Sequence, residues 1–327
     1  MSYQPANCFQ IESEDDFNAC ALEVFRYQVE NIPVYNRFIQ LLKNDIKGIK
    51  HYKQIPFLPV AIFKSHYMIS NNENAETVFT SSGTTGAITS KHPVAKVVLY
   101  EESFMNGFER YFGPVDDYCI IGLLPAYLER TGSSLVYMVK QLIEKSKHKS
   151  SGFYLNQYAD LKSLLQQLKN QNQKTILIGV TFALLDMAEN FAVDFPDLIV
   201  METGGMKGRR KEIVREELHQ ILTKGFGVEK IHSEYGMTEL LSQAYSKGEG
   251  LFNCQPWMKI LIREINDPHN YVSNGITGGV NIIDLANYYS CSFIATQDLG
   301  KKFSDHHFEI VGRFDNADLR GCNLMVQ

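Results

Sequence analysis

Between residues 118 and 202 the chain repeats one pattern, a short apolar run rich in β-branched residues followed by a helical stretch. The runs are YCIIGLL at 118–124, TILIGV at 175–180 and LIVME at 198–202. Helical stretches lie near 131–145, 159–170 and 182–191. Strands that alternate with helices predict an α/β layered architecture with a largely parallel sheet.

The flanks differ. The first fifty residues look helical. Ser13 followed by Asp16 resembles a capping box, with Asp in place of the usual Glu, and Phe17, Ala21, Val24 and Phe25 recur at helical spacing. A second helix is expected from about Val34 to Leu42. IPFLPVAIFKS, residues 55–65, carries two prolines and should begin extended. After about residue 245 the segments WMKILIREI, GGVNIIDL, CSFIATQ and HHFEIVG are β-rich, which predicts a smaller β subdomain. The expected division is 1–245 for the α/β subdomains, 246–311 for the β-rich subdomain and 312–327 for a hinge-like tail. DPHNYVSNG, residues 267–275, is either a seam or a loop between two strands.

Composition excludes several classes. The chain has 327 residues, 44% of them hydrophobic and 21% charged, enough for a sizeable core without staples. Lys plus Arg is 32 against 37 for Asp plus Glu, and the net charge of −5 gives no basic field for nucleic acid. The N-terminus lacks the basic and apolar regions of a signal peptide, and no apolar run approaches the ~20 residues of a membrane span. A cytoplasmic location is expected. Six scattered cysteines without a C-x-x-C pair predict free thiols and argue against structural zinc.

The strongest local signal is TSSGTTG at 80–86, with five hydroxyls and two glycines after Val78 and Phe79. Glycines allow close backbone approach to a ligand, and hydroxyls with free N–H groups donate to phosphate oxygens. No G-K-[ST] follows at Walker spacing. Alone, such a run also makes an exposed turn. Four further stretches accompany it: ETGGMKGRR at 202–210, SEYGMTE at 233–239, TQDLG at 296–300 and EIVGRFDNADLRGC at 309–322. The first of these follows an apolar strand, the end at which open α/β sheets bind ligands.

In this order the five stretches resemble the acyl-adenylate-forming superfamily, and most closely the LuxE-type long-chain-fatty-acid–protein ligases. Phenylacetate–CoA-ligase-like proteins are neighbouring relatives. The resemblance implies the superfamily's N-terminal core and ATP-dependent activation of a carboxylic acid, here a fatty or similar acid. By it, Ser81, Ser82, Gly83, Thr84, Thr85 and Gly86 cradle phosphates. Tyr235 and the Gly204–Gly205 turn flank adenine, Gly236 counts among the nucleotide-binding residues, and Lys207 stands as an anion ligand or a solvated charge. Thr238 bonds the α-phosphate and Glu239 holds Mg²⁺. Asp298 accepts the ribose hydroxyls, and Arg313 reaches ribose or phosphate.

Blander readings exist for single residues. Glu239 also suits a helix N-terminus, Asp298 a turn, and Arg313 with Asp315 a surface ion pair. The order of the motifs favours the site for Thr238, Glu239 and Asp298.

Two departures stand out. Ala87-Ile88-Thr89-Ser90 interrupts the family's x-P-K continuation, leaving open whether Lys91 or His92 meets phosphate. The sequence also stops at Gln327, just after the hinge motif, so the usual mobile C-terminal domain is expected to be lacking, as in LuxE-like proteins. Cys322 matches the family's acyl-accepting cysteine by position, with Arg313 and Arg320 to favour its thiolate. The acyl group would then pass to a partner reductase or transferase. The alternatives are an inert tail cysteine with CoA as acceptor, or a nucleotide-binding partner subunit without turnover.

Overall fold

The computed structural model describes residues 4–43, 45–81, 89–125, 132–204, 213–305 and 307–314. α1 (Glu14–Asn31) starts on a complete capping box: Ser13 accepts from the Asp16 N–H, and the Asp16 carboxylate accepts from the Ser13 N–H. Aspartate thus serves where glutamate is usual. α1 buries Phe17, Ala21, Val24 and Phe25, and α2 (Pro33–Leu42) follows with proline in its first turn. The proline-bearing stretch then forms β1 (Leu58–Pro59) before coiling into a 3₁₀ turn at Val60–Lys64.

β2 (Thr77–Thr80) and β3 (Lys91–Val94) make an antiparallel pair that leads into α3 (Val97–Phe112). The alternating region follows: β4 (Cys119–Leu123), α4 (Ser134–Ser146), β5 (Gly152–Tyr154), α5 (Tyr158–Asn170), β6 (Thr175–Val180), α6 (Thr181–Asn190), β7 (Ile199–Thr203), α7 (Arg215–Phe226) and β8 (His232–Tyr235). β4–β8 pair in parallel in the order β5-β4-β6-β7-β8. β4 and β6 are buried at every residue, as parallel strands covered on both faces must be, which is why they read as continuous apolar runs.

The β-rich part comprises β9 (Ala244–Ser246), β10 (Leu251–Asn253), β11 (Met258–Arg263), β12 (Gly278–Asp284), β13 (Phe293–Lys302) and β14 (His307–Arg313). These strands pair antiparallel and join the parallel strands through β8–β9, giving a single sheet ordered β11-β12-β13-β14-β10-β9-β8-β7-β6-β4-β5. β1 adds to it in parallel on β13. Residues 267–275 form the connection between β11 and β12 within that sheet.

Burial pushes the Cys119 thiol up to about 11 and the Cys291 thiol up to about 12, so both stay protonated as core groups. Cys8 and Cys20 are buried as well, and Cys254 is half-buried.

Candidate active site

The strand ends bring the motifs together. β7 terminates at Gly204, whose φ of 69° lies in the left-handed region that glycine tolerates. β8 beside it ends on Tyr235. The Tyr235 hydroxyl donates to Asp298 Oδ2 at 2.7 Å, and Arg313 Nε lies 3.2 Å from Oδ1. Asp298 and Arg313 are register partners in the β13–β14 ladder. Asp298 lies inside a strand, so it is no turn former, and its acceptor oxygens are ordered from both sides. Burial and the Asp298 charge push the Tyr235 phenol well up, so it remains a hydrogen-bond donor.

A second cluster surrounds Thr238 and Glu239. They lie in a turn between β8 and β9 rather than at a helix start, which removes the helix-dipole reading of Glu239. Ser81, the described residue that opens the glycine/hydroxyl loop, pairs with Ser90 across the loop's base. The Ser81 N–H donates to the Ser90 carbonyl at 3.1 Å, and the Ser90 N–H donates to Ser81 Oγ at 2.9 Å. The Ser90 hydroxyl in turn bonds the Glu239 carboxylate. Burial raises the Glu239 pKa, opposed by that bond and by the charges of Arg313 and Lys64. Arg313 therefore acts electrically on both clusters.

His92, left undecided between phosphate ligand and bystander, is fully buried and supports the Thr238-Glu239 turn. Its Nδ1 lies 2.7 Å from the Thr238 carbonyl, the shorter of the ring's two contacts with an acceptor oxygen, so in the neutral ring Nδ1 carries the proton and donates there. Nε2 lies 3.1 Å from Asn287 Oδ1, and Asn287 Nδ2 donates to the Glu239 carbonyl at 2.8 Å and to the Cys291 carbonyl at 2.9 Å. Burial pushes His92 down to about 4, against the upward pull of the two acceptor oxygens that face it, and keeps the ring neutral near pH 7, able to donate to only one of them. Lys91 is exposed.

Two further buried groups hold this turn. Asp284 Oδ2 accepts from the N–H groups of Leu241 at 2.7 Å and Ser242 at 3.0 Å, and Oδ1 accepts from the Ser242 hydroxyl at 2.5 Å. On α1, Gln28 Nε2 donates to the carbonyls of Asn287 and Tyr288, each at 3.0 Å. Neither they nor Asn287 belongs to a motif; their signal is polar character inside apolar segments, which becomes meaningful only in three dimensions.

Of the residues expected to bind nucleotide or react, Ser81, Gly204, Tyr235, Gly236, Thr238, Glu239, Asp298 and Arg313 gather at this end of the sheet. Ser82, Gly83, Thr84, Thr85, Gly86, Gly205, Lys207 and Cys322 lie outside the described residues. The buried Glu239 offers one carboxylate, which suits an Mg²⁺ ion that takes its other ligands from phosphate and water. Among the described residues there is no group of three or more His, Cys, Asp or Glu side chains able to hold a metal by themselves.

The family model for the acyl-protein synthetase LuxE matches residues 1–327. The chain belongs to the LuxE acyl-protein synthetase family. A relative of the same kind, the long-chain-fatty-acid–luciferin-component ligase of Photorhabdus luminescens, is 34% identical over 87 residues, 26% of this chain and 74% of the relative. Among solved structures, the 2-hydroxyisobutyryl-CoA ligase in complex with 2-HIB-AMP and CoA is similar with a TM-score of 0.70 at 14% identity, over 97% of this chain and 74% of the ligase. ATP-bound MatB from Rhodopseudomonas palustris gives 0.55 at 16% identity over 72% of this chain. The match takes in 47% of MatB, so the chain spans about half that ligase's length. At these identities the likeness is one of fold, an adenylate-forming core. The expected α/β architecture and the LuxE-type resemblance agree with these findings. No helix among the described residues is long and apolar enough to cross a membrane.

Proposed function

We propose that this LuxE-family chain activates a carboxylic acid, of fatty type, with ATP and transfers the acyl group to a thiol. A carboxylate oxygen attacks the α-phosphorus, the bond to pyrophosphate breaks, and an acyl-adenylate forms. A thiolate then attacks the acyl carbon and AMP leaves. The reaction asks the protein to position like-charged reactants and to stabilise charge as it moves. The observation that carries the reading is the convergence at one sheet end of Tyr235–Asp298–Arg313 with Ser81–Ser90–Glu239. The first group suits ribose and adenine. The second suits phosphates and Mg²⁺, with Thr238 at the α-phosphate. Ser82, Gly83, Thr84, Thr85 and Gly86 would complete the phosphate cradle, with Gly204, Gly205 and Gly236 beside the base and Lys207 as an anion ligand.

The acceptor we propose is Cys322, on the strength of its family position, with onward delivery to a protein such as a reductase or transferase. Incubation with radiolabelled fatty acid, ATP and Mg²⁺ should label the protein through a hydroxylamine-sensitive thioester. Labelling that persists in Cys322→Ser would overturn the cysteine's role, and label that moves instead to added CoA would make CoA the acceptor.

A further inference from the structure

Thr238 and Glu239 carry the side chains proposed to meet the α-phosphate and Mg²⁺, and buried side chains hold the backbone carbonyl of each. His92 Nδ1 holds the first at 2.7 Å, and Asn287 Nδ2 holds the second at 2.8 Å. Just beyond, the segment is held from its N–H side, where Asp284 accepts from Leu241 and Ser242. Asp284 and Asn287 are the ends of one turn at the close of β12, shut by the Asn287 N–H donating to the Asp284 carbonyl at 3.1 Å. That turn grips the backbone from Glu239 to Ser242, and His92 grips it at Thr238.

Asn287 is 1% exposed, and its partners fix its orientation. Its second amide hydrogen goes to the Cys291 carbonyl at 2.9 Å. Turned over, the amide would set Oδ1 against two carbonyls and lose both bonds. In the orientation it keeps, Oδ1 faces His92 Nε2 at 3.1 Å. With the His92 proton on Nδ1, no hydrogen lies between these two acceptors, and the contact adds no bond. Leucine, of nearly the same shape, would avoid that conflict. The amide is committed instead to holding carbonyls, one of them Glu239's, and local conflicts of this kind persist where function constrains a site.

The grip is itself anchored. From α1, Gln28 Nε2 donates to the Asn287 carbonyl at 3.0 Å, and Gln28 Oε1 accepts from the Ser292 N–H at 3.1 Å. Phe63 packs edge-on against the His92 ring with centroids 5.7 Å apart. A side chain leaves its backbone in a direction the backbone sets, so a carbonyl held in place also aims the group beside it. A displacement of about 1 Å at a reacting group lowers rates by about 100-fold.

We infer that Asn287 is a positioning residue for adenylation. Through the Glu239 carbonyl, and packed against His92 at the Thr238 carbonyl, it aims the Thr238 hydroxyl and the Glu239 carboxylate at the α-phosphate and Mg²⁺. This rests on the acid-activating reading and adds to it a residue that belongs to none of the family's motifs.

In Asn287→Leu, kcat for ATP–pyrophosphate exchange, taken per ATP-binding site counted by calorimetry, should fall about 10- to 100-fold while KM for ATP changes by less than about threefold. Counting sites removes any loss of folded protein, which lowers total activity but neither quantity. Mn²⁺, a probe for the Mg²⁺ position, is titrated into the protein–ATP complex and its free form read by electron paramagnetic resonance. It should bind about 10-fold more weakly in the variant. Asn287→Ser keeps one hydroxyl hydrogen for a carbonyl, should fall between the two on both readouts, and serves alone if the leucine variant does not fold. Native kcat per site with native Mn²⁺ affinity, or a raised KM alone, overturns the proposal while exchange by the native protein upholds the acid-activating reading. No acid-dependent exchange in the native protein overturns both.

Discussion

The Tyr235 hydroxyl donates to Asp298 across 2.7 Å, linking the last residue of a parallel strand to the middle of an antiparallel one 63 residues later. The bond joins the sheet's two halves at the proposed ribose site. Hydrogen bonds to charged groups contribute about 1.5–3 kcal/mol. Asp298→Ala should therefore raise KM for ATP by roughly 10- to 100-fold, with a smaller effect from Tyr235→Phe, which leaves the carboxylate in place but less well ordered. Initial rates with ATP varied at saturating acid measure this. A change confined to the KM for the acid would move Asp298 out of the nucleotide site.

Glu239 is buried with a raised pKa, and its proposed work is electrostatic. Glu239→Gln should lower kcat by roughly 100-fold or more, a loss typical of removing one charge-stabilising group from a site, and should shift the Mg²⁺ requirement upward. Thermal stability should hold or rise, because the burial of a charge is relieved. Exchange rates titrated with Mg²⁺, alongside a melting curve, separate this from a folding defect. An unchanged Mg²⁺ profile would contradict the assignment.

Asp284 accepts from the Leu241 and Ser242 N–H groups and from the Ser242 hydroxyl in a fully buried position. Asp284→Ala leaves those donors unpaired, at about 1–3 kcal/mol for each buried group, so a loss of roughly 3 kcal/mol or more is expected. Urea unfolding of the two proteins measures it. A change below about 1 kcal/mol would mean that the Thr238-Glu239 turn does not depend on this carboxylate.

His92 makes stability depend on pH. Its pKa falls from 6.5 to about 4 on burial, so between these values the unfolded chain binds a proton that the folded chain does not. Stability must then decline as pH drops from about 6.5 to about 4, and the His92 contribution is fully present above that window. His232, lowered to about 4 by burial and the nearby Lys230 and Lys247 charges, has the same sign. Unfolding free energy measured from pH 7 to pH 4 should fall less steeply in His92→Gln than in the native protein. Parallel curves would contradict the assignment.

What the sequence revealed follows from the range of each interaction. The capping box at Ser13 spans three residues, and the buried strands β4, β6 and β7 declare themselves as apolar runs, so both were legible. The motifs proposed for nucleotide binding stand out because their order is a family pattern. The role of His92 was not, since its partners Thr238 and Asn287 are 146 and 195 residues away. Gln28 reaches Asn287 across 259 residues, and Leu58 pairs with Ile294 in a two-residue strand too short to leave a pattern.

The central claim, acid activation by adenylation, is tested most directly by exchange of radiolabelled pyrophosphate into ATP with the purified chain and Mg²⁺. Label should enter ATP only when a suitable acid is present, and Glu239→Gln should depress it. Incorporation that ignores the acid, or none with any acid while ATP still binds, would contradict the account.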